Sequence, residues 1–143
     1  MDSAMNAPVG LPWGYAPHDG PALWGNLDPA FRACAVGREQ SPIDLTGGRQ
    51  ADLTPVEFDY GRTRIVVEIT GRTIQVNPDP GSGIVLDGVR YGLQQYHYHH
   101  GSEHTVDGAQ LPPEMHLVHR DDGGALAVVG SCSRRARRRP RQR

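Results

Sequence analysis

Six of the seven histidines lie between His97 and His119, and their spacing carries the sharpest chemical signal in the chain. In an extended strand, residues two apart project to the same face. Gln95, His97 and His99 therefore point together, with Tyr96 and Tyr98 on the other side. On a later segment, Glu114, His116 and Val118 share a face by the same rule. If these two strands are neighbours, three imidazoles converge with an amide and an acid beside them. Three neutral His ligands with a fourth position open form the donor set of a catalytic zinc site, whereas structural sites are closed by four protein ligands. A lone His in a strand is more often a hydrogen-bonded or surface residue than a ligand, so spacing by itself leaves both readings open. His100-Gly-Ser-Glu103-His104 also fits the H-x-x-E-H order of some zinc proteases. That pattern needs a helix to bring its two His onto one face. Gly101-Ser102 and the following Thr105-Val106-Asp107-Gly108 predict a turn, which argues against it.

The elements that must position these residues read as short strands. Pro55 to Tyr60, Arg64 to Thr70 and Thr73 to Val76 alternate or run β-branched, with Gly61 and Gly71 at the breaks. Ile84 to Leu86 and Val89 to Tyr91 flank Asp87-Gly88, a hairpin dipeptide. Leu93 to His99, Glu114 to Arg120 and Ala125 to Val129 complete the set. Helix signals are few: Asp28-Pro29 predicts a short helical turn, with Asp28 as N-cap and Pro29 at the first helical position. Met1 to Pro21 reads as an extended arm, and Arg38 to Leu45 as a loop. The expected fold class is mainly β with few short helices.

Bulk properties agree. A chain of 143 residues suits one domain, and 18 Gly with 12 Pro and 37% hydrophobic residues favour a turn-rich β fold over a helical bundle. No apolar run is long enough to span a bilayer. Met1 to Pro8 shows no basic stretch followed by an apolar core, so no signal peptide is visible and the chain as written reads as cytoplasmic. The basic residues are all Arg, and seven of the fifteen lie between Arg134 and Arg143. Met1 to Ser133 thus holds eight Arg against sixteen acids, a formal charge of −8. The break in composition after Gly130 is expected of a domain edge or a shifted reading frame. Phosphate or acidic-surface binding by the Arg tail is the electrostatic alternative, and nucleic-acid association is not the favoured reading. The two cysteines, Cys34 and Cys132, form no C-x-x-C pair. They are either idle thiols or, in an oxidising compartment, a disulfide.

Taken together, Gln95-Tyr-His97-Tyr-His99, Gly101-Ser-Glu103-His104-Thr-Val-Asp-Gly and Glu114-Met-His116-Leu-Val-His119 resemble the signature of the bacterial-type α-carbonic anhydrases. Trp13-Gly-Tyr15, Gly20-Pro21, Trp24 and Gln40-Ser-Pro-Ile-Asp44 are similar to that family's N-terminal hallmarks, in the same order. The resemblance runs from about Trp13 to Gly130 and divides the chain into an N-terminal arm (1–12), a partial carbonic anhydrase domain (13–130) and an Arg-rich, disordered tail (131–143). It implies an incomplete version of a fold built on a large twisted, mostly antiparallel sheet. It also implies reversible hydration of carbon dioxide to bicarbonate by a zinc-bound hydroxide. By the same resemblance His97, His99 and His116 hold Zn²⁺, while Gln95, Glu114 and His104 support them. Glu103 matches an acid that orients a threonine beside the hydroxide, and Val118 and Val128 match walls of the carbon dioxide pocket. The family's setting leans periplasmic or secreted.

Two departures are expected to matter. Arg72 stands where the family's proton-shuttling histidine falls, and Arg cannot shed a proton at working pH. His18 and His100 are the substitutes on offer. A full-length member also continues well past Gly130, with more strands, the threonine and a cysteine partner for the one matching Cys34. The chain therefore reads as truncated or frameshifted after about Gly130, with folding and turnover compromised by open sheet edges. An acatalytic binding module on the same fold is the alternative from another functional class.

Overall fold

The structure, a computed structural model, describes residues 13–69 and 73–132. The chain divides into two compact units, 1–41 and 42–143.

In the first unit, Trp13 to Gly20 is a series of turns rather than the expected extended arm. The reason is Trp24. Its indole N–H donates to the carbonyls of Gly14 and Asp19, both at 3.0 Å, and its ring meets Trp13 and Tyr15 edge-on at 5.2 and 5.7 Å. Aromatic edge-to-face packing of this kind can bend a Gly-rich segment that has no ladder of its own. Two short helices follow, α1 (Trp24–Leu27) and α2 (Arg32–Val36), each entered through a 3-10 turn. The second such turn, Pro29–Phe31, begins as expected: Asp28 caps it by accepting the Ala30 N–H at 2.8 Å.

The second unit is all β. Its strands are β1 (Asp44–Leu45), β2 (Glu57–Asp59), β3 (Ile65–Ile69), β4 (Ile74–Pro78), β5 (Gly83–Leu86), β6 (Val89–His99), β7 (Thr105–Val106), β8 (Ala109–Gln110), β9 (Glu114–Arg120) and β10 (Leu126–Cys132). Seven of them form one antiparallel sheet with the path β10-β9-β6-β4-β3, while β5 also pairs with β6 and carries β2 on its other side. β1, β7 and β8 form a small separate sheet, in which β1 runs parallel to β7.

Two differences from the expected strands bear on the site. Val89–Tyr91 and Leu93–His99 are not two strands but one of 11 residues, with its register shifted between Leu93 and Gln95. Gly92 does not break the chain. It faces Gly83 of β5, where a Cβ would come within 2.4 Å of the Tyr91 carbonyl, so this glycine pair permits close strand approach. β10 runs on through Cys132 because Ser131 and Cys132 pair with Met115 and Glu114. The compositional change at Gly130 is therefore not the end of the sheet, since backbone pairing is indifferent to it. The turn expected over 105–108 is present: the 105–110 segment is a hairpin, closed by Asp107 and Gly108 at φ 49° and 75°. Asp44 clamps it by accepting from the Thr105 hydroxyl at 2.7 Å and the Gly108 N–H at 3.0 Å. The Gly108 N–H first, and then the Thr105 hydroxyl, hold the Asp44 carboxyl below its usual range.

Candidate metal centre

β6 and β9 are direct neighbours, and the register sets His97 opposite His116 and His99 opposite Glu114. Alternation then places Gln95, His97, His99, Glu114, His116 and Val118 on one face, as the sequence predicts. On the far side of β9, Gly130 lies opposite His116 and Val128 opposite Val118.

The three imidazoles close on each other. Ring centroids are 4.8 Å apart for His97–His99, 4.9 Å for His99–His116 and 5.4 Å for His97–His116. One nitrogen from each lies within 4.8 Å of the other two. His99 and His116 are buried, and His97 is half-buried. Each end of the cluster is held from outside. His97 Nδ1 donates to Gln95 Oε1 at 2.9 Å, which leaves Nε2 with its lone pair. His116 Nε2 lies 3.0 Å from Glu114 Oε1, a charge contact without hydrogen-bond geometry.

Glu114 anchors the arrangement. It is almost fully buried, at 1% exposure. Its Oε2 accepts the backbone N–H groups of Glu103 at 2.7 Å and His104 at 3.0 Å, and Oε1 pairs with His104 Nδ1 at 2.5 Å. Burial alone would raise this carboxyl. The His104 backbone N–H, then the His104 and His116 side chains, outweigh burial and hold it at about 2. The loop after β6 is thereby tied to β9. Ser102, itself buried, adds to the tie by accepting the Leu111 N–H on its hydroxyl at 2.7 Å.

The electrostatics suit a cation. Burial first, and then the neighbouring His99 and His116, push the His97 pKa down. Burial likewise depresses His99, opposed by Glu103. Both rings therefore favour the neutral form, which is the form that ligates a metal. The donor set, the buried position and the ring orientations fit a divalent transition ion such as Zn²⁺.

Residues 19–129 match the family model for eukaryotic-type carbonic anhydrases. The chain belongs to the α-carbonic anhydrase family. It is 42% identical over 123 residues to a carbonic anhydrase of Nostoc sp., covering 82% of this chain and 47% of that one. To a carbonic anhydrase of Neisseria gonorrhoeae it is 40% identical over 118 residues, again covering 82% of this chain and 47% of the relative. The solved α-carbonic anhydrase of Thermovibrio ammonificans, in complex with the inhibitor sulfanilamide, superposes with a TM-score of 0.76 at 40% identity. That match covers 86% of this chain and 55% of that one. The chain spans about half the length of the curated relatives it matches.

The other residues singled out in the sequence fall as follows. Val118 is half-buried beside the cluster, and its cross-strand partner Val128 is exposed. His104 sits behind Glu114 rather than among the three rings. His100 is exposed and the 100–104 segment is not helical, so the protease pattern has no structural basis. His18 is exposed beside Asp19 in the first unit. Arg72 and the Arg-rich segment from Arg134 lie outside the described residues. Cys34 and Cys132 are free thiols. Among the described residues, no helix is long and apolar enough to cross a membrane.

Two contributors were not apparent in the sequence. Gly130 admits β10 against the cluster: a Cβ there would lie 3.0 Å from Glu114 Oε1 and 3.6 Å from both His104 and His116. His119, fully buried, belongs to the opposite face. It pairs with the Tyr60 hydroxyl at 2.9 Å through Nε2 and with the Ala127 carbonyl at 3.2 Å through Nδ1. Both features follow from strand pairing, which local patterning does not specify.

Proposed function

We propose that this chain carries the zinc centre of a carbonic anhydrase and serves the reversible hydration of carbon dioxide to bicarbonate. The observation that supports this most directly is the convergence of His97, His99 and His116, with Gln95 bonded to the His97 ring and the Glu114 carboxylate 3.0 Å from the His116 ring. When held by three neutral imidazoles, Zn²⁺ keeps its charge and brings the pKa of a water in its open position to about 7, which supplies a nucleophile at neutral pH.

The protein's own groups do the rest. Gln95 orients the His97 ring by accepting from its Nδ1, and Glu114 backs His116 as a charge partner. Val118 and Val128 offer an apolar wall beside the cluster for a linear, uncharged substrate. Arg72 in the shuttle position offers no titratable route, so the proton leaves to buffer. Stopped-flow carbon dioxide hydration, with metal content measured on the same sample, tests this. One zinc per chain with turnover that rises with buffer concentration is expected, and His97→Ala should remove both zinc and turnover. A chain that takes up zinc but gives no turnover above the uncatalysed rate would refute the enzymatic reading.

A further inference from the structure

β10 is the outermost strand on one side of the sheet, and among the described residues it pairs only with β9. An antiparallel strand turns half of its backbone N–H and C=O groups to each side, so the outer half of β10 is a template for a further strand. Sheet edges are ordinarily blunted by a charge, a proline or a bulge. β3, at the other end, carries Glu68. β10 has no such device: Leu126-Ala-Val-Val-Gly-Ser-Cys132 holds neither charge nor proline, and it pairs with β9 residue for residue without a shift. Leu126 and Val128 are 65% and 54% exposed.

The strand that suits this edge is another copy of itself. In the antiparallel register that uses all seven residues, Val129 meets its own counterpart on a two-fold axis, Val128 lies opposite Gly130, and Leu126 lies opposite Cys132. No like charges meet anywhere along the pair. Opposite charges gather at its ends. The turn into β10 carries Asp121 and Asp122 against Arg120, and the sequence after β10 runs directly into Arg134 and Arg135. Antiparallel pairing sets the acidic end of one copy beside the basic end of the other. The register also reaches the histidine cluster. Gly130 lies opposite His116 and has no side chain, so nothing of β10 itself stands between the partner's Val128 and that flank of the cluster.

We propose that this chain forms a two-fold dimer by antiparallel pairing of β10 with β10 of a second copy, and that each Val128 extends the apolar wall beside the other copy's metal centre. The shared wall rests on the metal-centre reading above; the pairing does not.

Sedimentation velocity of the full, metal-free chain over a dilution series tests the pairing. A dimer that dissociates on dilution is expected, because seven paired residues make a small contact. Val129→Lys and Val129→Glu each set like charges face to face on the axis. Each should raise the dissociation constant by more than about a hundredfold, and the two variants mixed in equal amounts should dimerise with each other. Hydrogen exchange on the wild-type chain decides the matter if either variant fails to fold. The amides of 126–132 should gain protection with concentration while those of β9 keep theirs. A wild-type chain that stays monomeric, a dimer that neither substitution weakens, or β10 protection that ignores concentration would overturn the pairing. The shared wall is read from the visible absorption of the cobalt(II)-loaded chain, which should change as the dimer dissociates, because the apolar shell sets solvent access to the ion. A spectrum indifferent to dissociation would overturn the shared wall and leave the pairing standing. Failure to retain cobalt in equilibrium dialysis would overturn the metal-centre reading, and the shared wall with it, while the pairing is judged on the metal-free chain alone.

Discussion

The histidine-bearing strands β6 and β9 and the edge strand β3 belong to one sheet, yet different forces act at the two places. At the cluster the buried groups are polar: His99, Glu114, His116 and, on the reverse face, His119. At β3 the side chains are apolar and exposed, with Val66 at 61% and Ile69 at 80%. Among the described residues only Val76 and Ile84 are buried hydrophobics, against six buried polar or charged residues. Hydrogen bonding and charge pairing, not apolar burial, thus set the order around the metal centre. This concentrates stability in a few groups. A buried carboxylate with four partners is costly to disturb, while an exposed valine at a sheet edge is nearly free to change.

The largest expected effect comes from removing the anchor. Glu114→Ala leaves two backbone N–H groups and the His104 ring without their acceptor in a buried setting. The loss is about 3–5 kcal/mol, read as a lower urea midpoint of the metal-free chain. A loss below about 1 kcal/mol would show that the network is solvated and that the contrast with β3 is illusory.

Acid should reveal the same asymmetry without mutation. Glu114 is held at about 2 against an ordinary 4.5. A depressed carboxyl contributes stability that is complete above pH 4.5 and vanishes as pH falls toward 2, on the order of 3 kcal/mol. His97 and His99 are depressed as well. Below about pH 6.5 the unfolded imidazoles take up protons that the folded ones refuse, so stability also falls with pH there. Urea titrations of metal-free protein across this range should show two losses, and Glu114→Gln should abolish the lower one only. A flat profile between pH 6.5 and 4.5 would count against neutral, buried ligand rings.

How much of this was legible in the sequence follows from how local each determinant is. The period-2 placement of Gln95, His97, His99, Glu114 and His116 depends on nothing but extended backbone, and it was readable. The Asp28 cap and the Asp87-Gly88 and Asp107-Gly108 turns are equally local. The unbroken β6 was not readable, because Gly92 looks like a break until Gly83 is set opposite it. Nor was the pairing of β1 with β7, two-residue strands separated by a long stretch of chain. Gly130 and the Tyr60–His119 pair depend on register between distant strands and leave no local trace. Glu103 was readable as a family acid, but its approach to the His99 and His116 rings was not.

Gly130→Ala sharpens the comparison from the cluster side. The added methyl would press on Glu114 Oε1 at 3.0 Å, in a place held by backbone and buried side chains. Overpacking of this sort costs about 1–3 kcal/mol. Zinc affinity should weaken with it, because the carboxylate that backs His116 must shift. Calorimetric titration of zinc into the variant and the parent checks this. Unchanged affinity would mean that β10 gives way instead, and that the anchor is looser than its burial suggests.

The smallest expected change in stability lies at the other end of the sheet. β3 has a single neighbour, β4, among the described residues, and its outer edge presents unpaired backbone alongside apolar side chains. Such an edge is a template for pairing with another chain. Val66→Lys places a charge there on the face that carries Glu68 and, across the pair, Asn77, where nothing buried is displaced. Stability should change by no more than about 0.5 kcal/mol, while concentration-dependent association, followed by light scattering, should fall. If Val66→Lys instead destabilises the monomer as much as Gly130→Ala does, β3 is part of the structural core. The division between a polar, ordered centre and a tolerant apolar edge would then have to be abandoned.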